Sequence, residues 1–316
     1  MRRLFTLLAA PLVISLASCT DKSPPPPTKP PESAVTSDVV LTTFYPTLYF
    51  ADRIAGNVLE VECPLPPGED PVFWTPSAEV IQEYQSARLV ILNGAEFEKW
   101  ALTAPLPRSR VVDTSHAFED DFLQFENAVT HSHGPAGAHS HTGIDGHTWL
   151  DPNLAIRQAR VIERAFIDAF PTSADTFAIN LLSLETDLRY LDERFLDITP
   201  DVGRVRLLAS HPAYNYIARR YNWAITNLAL DPETPLSEEE VGDVLRAAGD
   251  DTSRPIVLLW ESEPVPASRA MLEAAGVRCV VFSPGENPGP EERGAHSDYL
   301  NIMRANIDRL RDALDG

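Results

Sequence analysis

Between Pro171 and Pro200, six apolar residues recur at steps of 4, 3, 4, 3 and 4: Phe177, Leu181, Leu184, Leu188, Leu191 and Phe195. That spacing lines one face of an α-helix. Thr172 or Ser173 can cap it, and Asp175, Asp187, Arg189, Asp192 and Glu193 occupy its polar face. The spacing predicts one long helix over 172–197. On both sides of it, short apolar runs alternate with helical stretches. Upstream the strands fall near 39–41, 58–63, 89–92 and 111–112, with helices over 48–55 and 77–86. Downstream they fall at 205–209, 223–228, 256–260 and 278–282, with helices over 213–221, 237–248 and 267–275. A closing helix carries Tyr299, Met303, Ile307, Leu310 and Leu314 on one face. Continuous apolar runs of this length between helices indicate parallel sheets. The predicted fold is α/β. Two Rossmann-like βα lobes, 38–171 and 198–316, are joined by a long rigid helix. A ligand cleft lies at the carboxyl ends of their strands.

The first 37 residues stand apart. Arg2 and Arg3 precede an apolar run over 4–16 and the ending Leu16-Ala17-Ser18-Cys19. This reads as a signal peptide over 1–18; the run is short of the about 20 apolar residues that span a bilayer. The ending resembles a bacterial lipobox, which implies cleavage before Cys19 and lipid on its thiol. Ordinary secretion is the alternative. The tract Ser23-Pro-Pro-Pro-Pro-Thr-Lys-Pro-Pro31 favours extended polyproline II, so 19–37 reads as a semi-rigid tether. A Pro-rich recognition motif is the alternative there. Cys63 and Cys279 are expected as unpaired, buried thiols in strands. A formal charge of −20 argues against nucleic acid as a partner.

Five of the eight histidines lie within 17 residues: His131, His133, His139, His141 and His147. Neutral imidazole is a common ligand for metals such as zinc. His131, His133, His139 and His141 fall in a Gly-rich, mobile loop suited to transient metal capture; an accidental polar loop is the alternative. His147 immediately precedes Thr148-Trp149-Leu150-Asp151-Pro152, which launches a helix, so it is positioned in advance. His211, in Ser210-His211-Pro212-Ala213-Tyr214, follows a strand and faces the expected cleft.

These motifs, in this order, resemble the substrate-binding proteins of zinc and manganese ABC transporters. The likeness covers nearly all of 38–314. It includes Phe44-Tyr45-Pro46, Pro66-Pro67-Gly68-Glu69-Asp70-Pro71, 89–100, His147-Thr148-Trp149-Leu150-Asp151-Pro152 and the stretch around His211. The resemblance implies two lobes on a rigid helix, with His147 and His211 as ligands across the cleft. A His-rich loop and His at 211 point to the zinc branch. Two usual ligand positions are substituted, by Val72 and by Ser283. Candidates to complete the set are Glu261, Glu286, His139 and His141. Glu261 reads first as support for His211. Asp70 can approach but is not the usual ligand.

The implied function is extracytoplasmic capture of a divalent transition metal, zinc first, with manganese or another cation as variants. The cargo is handed to an ABC permease. The protein is expected to be monomeric, lipid-anchored and not an enzyme. A family member without high-affinity transport binding, acting as an adhesin, sensor or metallochaperone, is the second reading. A zinc hydrolase is disfavoured, because the chain has neither His-Glu-x-x-His nor Gly-x-Ser-x-Gly.

Overall fold

The computed structural model describes residues 38–125, 129–132, 138–141, 143–288 and 298–315; for 126–142 the strand pairing alone is described. The expected signal peptide and tether, with Cys19, lie outside the described residues.

The N-terminal lobe contains strands β1 (Val40–Thr42), β2 (Val61–Glu62), β3 (Leu89–Leu92) and β4 (Val111–Asp113), with helices α1 (Tyr45–Ala55) and α2 (Ala78–Ser86). Ser77 caps α2 by accepting from the Val80 amide. An antiparallel ribbon follows, β5 (Val129–Ser132) with β6 (Ala138–His141), and then α3 (Pro152–Ala169). The long α4 (Ala174–Val202) leads into β7 (Arg206–Ala209), α5 (Asn215–Tyr221), β8 (Ile225–Asn227), α6 (Glu238–Ala248), β9 (Ile256–Trp260), α7 (Pro266–Ala274), β10 (Val277–Val281) and α8 (Tyr299–Asp315). The two main sheets are wholly parallel, ordered β2-β1-β3-β4 and β10-β9-β7-β8. Read from its other edge, the second order repeats the first. Each sheet changes direction between its first and third strands, β1/β3 and β7/β9. The loops leaving those strand ends border the crevice where open sheets bind ligands.

The connecting helix differs from the predicted 172–197 at both ends. Pro171–Ser173 form a separate 3-10 turn, and the helix runs on through Pro200 to Val202. The reason is burial: Ile198 and Val202 continue the apolar stripe and are fully enclosed. Pro200 sits in the final turn, where it withholds the amide that would bond the Leu196 carbonyl, and the burial of Ile198 and Val202 outweighs that loss. The Thr199 hydroxyl donates to the Phe195 carbonyl nearby. At 29 residues the helix is about 43 Å long. Its buried face joins residues of both sheets and of α1, α3 and α8 in one continuous core, from Val40 and Phe50 through Leu188 to Leu207 and Ile307. The lobes are distinct as sheets but share their floor.

The His-rich stretch also departs from expectation. Instead of a plain loop it contains the β5–β6 ribbon, in which His131 is opposite His139 and Val129 opposite His141. Alternation of His with Thr, Ser and Ala suits the period of two of a strand. Cys63 and Cys279 form no disulfide, as expected, but both are half-buried rather than enclosed. Cys63 lies one residue beyond β2, and Cys279 lies within β10.

Candidate metal centre

Local chemistry holds His147 in place from several directions. Asp151 caps α3 by accepting from the Asn153 amide, and Pro152 occupies the first turn, so the chain must enter the helix at this point. Gly146 brings the preceding backbone against Phe97; a Cβ there would stand 2.8 Å from the Phe97 Cβ. Asn93, at the end of β3, donates to the Gly146 carbonyl at 2.9 Å and accepts from the Thr148 hydroxyl at 3.2 Å. The turn after Asn93 holds Ala95 and Glu96 at φ 50 and 55, left-handed values that cost non-glycine residues on the order of 1–3 kcal/mol each. Buried Glu98 offsets that strain. Its carboxylate accepts from the Asn93 and Gly94 amides and from the Thr43 hydroxyl. Burial pushes the Glu98 carboxyl up to about 7 even though these donors pull it down.

The result is a nearly enclosed imidazole, 1% exposed, with the Phe97 and Trp149 rings at 6.0 and 5.3 Å. His211, on the loop after β7, is 3% exposed, and its ring centroid lies 5.8 Å from that of His147. Two imidazoles sharing a tetrahedral zinc have centroids roughly 5 Å apart, so this separation is close to a shared-metal geometry. Glu286, on the loop after β10, brings Oε1 to 3.1 Å from His147 Nε2. An imidazole nitrogen and a carboxylate oxygen on one tetrahedral zinc stand roughly 3.4 Å apart. Glu261, on the loop after β9, has Oε2 3.8 Å from His211 Nδ1. That distance is beyond a direct hydrogen bond and fits support for His211 or entry as a ligand after a small movement.

His147 is flanked by two carboxylates. Asp145 Oδ1 is 2.7 Å from Nδ1, and Glu286 lies on the Nε2 side. Burial alone would lower the imidazole pKa, but Asp145 and then Glu286 outweigh it and raise it to about 10. Without metal, these two carboxylates favour the imidazolium, whose Nε2 lies 3.1 Å from Glu286 Oε1.

The substituted positions behave differently from each other. Val72 is packed in the core and offers no donor. Ser283 lines the cleft with Asp70, Glu261 and Glu286; its hydroxyl accepts from the Gly285 amide at 3.2 Å. Asp70 is engaged with the Val72 amide at 2.8 Å. The open pocket these four residues line measures about 230 Å³, and neither imidazole lines it. His133 lies outside the described residues, as do the side chains of His131, His139 and His141. Among the described residues, no three His, Cys, Asp or Glu side chains already converge on one metal-sized point. The described donors are neighbours that still have to close on a cation.

Contacts across the cleft knit the two lobes together. The Trp149 indole donates to the Pro284 carbonyl at 2.9 Å, and the Tyr299 hydroxyl donates to the Trp149 carbonyl at 2.7 Å. The Tyr45 amide donates to the Glu286 carbonyl at 3.2 Å. Sequence reasoning missed Asp145. Its signal was available as Asp145-Gly146-His147, the spacing at which an Asp side chain reaches the backbone two residues on.

Comparison with known proteins agrees with this architecture. The family described as zinc-uptake complex component A, periplasmic, matches residues 40–313. The zinc-binding lipoprotein AdcA of Streptococcus pneumoniae is 24% identical over the whole of this chain, which spans 62% of that protein's length. The high-affinity zinc uptake system protein ZnuA of Bacillus subtilis is 23% identical, with 87% of each chain covered. Among solved structures, the Zn(II)-bound ZnuA-like domain of S. pneumoniae AdcA superposes with a TM-score of 0.74 at 22% identity, covering 88% of this chain and 99% of that one. The Mn2+ complex of FpvC from Pseudomonas aeruginosa superposes with a TM-score of 0.64 at 20% identity, covering 88% of this chain and 98% of that one.

Proposed function

The chain belongs to the zinc-uptake complex component A family, and from that premise we propose that it captures zinc between its lobes and delivers it to an ABC permease. The observation that carries this reading is the trio at the cleft floor. His147 has Glu286 at 3.1 Å and the His211 ring at 5.8 Å. We assign His147, His211 and Glu286 as ligands, with Glu261 as fourth donor or as support for His211. Glu286 then takes over a ligand role that neither Val72 nor Ser283 supplies. The set combines borderline nitrogen with hard oxygen donors, which suits zinc and leaves manganese as a competitor. No bond is made or broken. The work is binding, and release follows when the permease separates the lobes' donors. The protein acts outside the cytoplasm, as a monomer held to the membrane by lipid on Cys19. His131, His133, His139 and His141 serve transient capture.

The test is calorimetry on metal-free protein. Sub-micromolar zinc binding that is lost in His147→Ala and His211→Ala, and weakened in Glu286→Gln, is the expected result. Absence of zinc binding, or wild-type binding in both His variants, defeats the reading. Manganese competition in the same cell ranks the cargo.

A further inference from the structure

The N-terminal ligand is built on a joint that belongs to both lobes. Residues 123–125 and 143–145 run antiparallel as the stem of the β5–β6 ribbon. The Phe125 amide donates to the Gly143 carbonyl, the Asp145 amide donates to the Leu123 carbonyl, and Gln124 bridges Ile144. One hydroxyl grips both strands of this stem. Tyr216 donates to the Asp145 carbonyl at 2.8 Å and accepts from the Leu123 amide at 3.1 Å. The Asp145 side chain, fully buried, points both ways from the same place. Its Oδ1 faces the His147 backbone amide at 3.0 Å and Nδ1 at 2.7 Å. Its Oδ2 accepts from Asn215 Nδ2 at 2.8 Å. Asn215 Nδ2 also reaches the carbonyl of Pro212, next in sequence to His211, at 3.2 Å. Asn215 and Tyr216 both open α5 in the C-terminal lobe.

We propose that Asp145 is the positioning residue of metal capture. It commits His147 to carrying its proton on Nδ1, so that Nε2 meets the cation. Through Asn215 and Tyr216 it also ties that presentation to α5, and so to the loop bearing His211. The two imidazoles are set as one unit. This rests on the assignment of His147 and His211 as zinc ligands. Carboxylates that orient metal-bound histidines typically matter 10–100-fold in affinity, although they never touch the metal.

A purely structural role for Asp145, as a turn former, predicts lost stability without a change in ring chemistry. The deciding experiment therefore reads tautomer and coupling. Full-length protein labelled with 15N-histidine is loaded with zinc and examined by NMR, and zinc affinity is measured for Asp145→Asn, Asn215→Ala and the double variant. His147 is expected as the Nδ1–H tautomer in wild type. Asp145→Asn should weaken zinc binding by about 10–100-fold. Asn215→Ala should weaken it in the same direction, and the double variant should bind no worse than Asp145→Asn alone. Tyr216→Phe, which keeps the ring and removes only the hydroxyl, supplies the same test if Asp145→Asn fails to fold, with weakened zinc binding expected in a variant that stays folded at a lowered melting temperature. An Nε2–H tautomer in wild type overturns the proposal, as does wild-type affinity in Asp145→Asn, or in Tyr216→Phe where it stands in. Additive losses from Asp145 and Asn215 overturn the link between the lobes. If His147→Ala binds zinc as wild type does, the ligand assignment itself has failed, and the proposal falls with it.

Discussion

Zinc entering this cleft has to displace a proton. His147 titrates at about 10 because Asp145 and Glu286 outweigh the cost of burial, so near neutral pH the Nε2 position is occupied by hydrogen. At pH 7 that proton weakens apparent zinc affinity by about three decades, or roughly 4 kcal/mol, relative to a site already deprotonated. Apparent affinity should therefore rise about tenfold per pH unit, and about 100-fold between pH 6 and 8. For the metal-free protein the sign is opposite. The His147 imidazolium contributes stability that is complete below about pH 6.5 and is lost as pH rises through about 10. The assay is calorimetry at several pH values, in pairs of buffers with different ionisation enthalpies. The difference in heat between buffers counts the protons released. About one proton per zinc is expected at pH 7, and none from this site in His147→Ala. Affinity that is flat from pH 6 to 8 in wild type, or binding heats independent of the buffer, refutes the reasoning.

Two further predictions rest on the scaffold. Glu98 is raised to about 7 by burial, so it contributes stability that is complete below about pH 4.5 and lost as pH rises through about 7. Urea unfolding at pH 5 and pH 8 should show wild type losing roughly 2–3 kcal/mol more than Glu98→Gln over that interval; equal losses would count against the assignment. Gly146→Ala places a Cβ 2.8 Å from the Phe97 Cβ and should cost about 1–3 kcal/mol in stability, read as a lower melting temperature together with weaker zinc binding. An unchanged melting temperature would mean that Phe97 gives way freely.

Much of the fold was legible from periodicity, because burial imposes the same spacing wherever a helix or strand faces a core. The strands at 89–92 and 256–260 occur as read, and the stripe from Phe177 to Phe195 is the buried side of α4. Boundaries were less legible where tertiary burial overrode a local signal. Pro200 reads as a helix stop, yet enclosure of Ile198 and Val202 carries the helix past it.

The site divides along the same line. Residue type and neighbouring motif were enough to pick out His147 and His211, because an imidazole at a strand or helix end is recognisable in one dimension. Glu286 could be named only as one of several candidates, since the loop after β10 sets its distance to His147. The turn Asp145 makes two residues before His147 was open to sequence reading, but its tie to the other lobe came only from α5, which meets the stem of the His-rich ribbon 70 residues away in the chain. Local spacing determined which elements form and which side chains could bind a metal. Long-range packing decided that Glu286 and His211 stand beside His147, while Asp145, two residues away in the chain, supplies the larger part of the charge that keeps a proton on the ring.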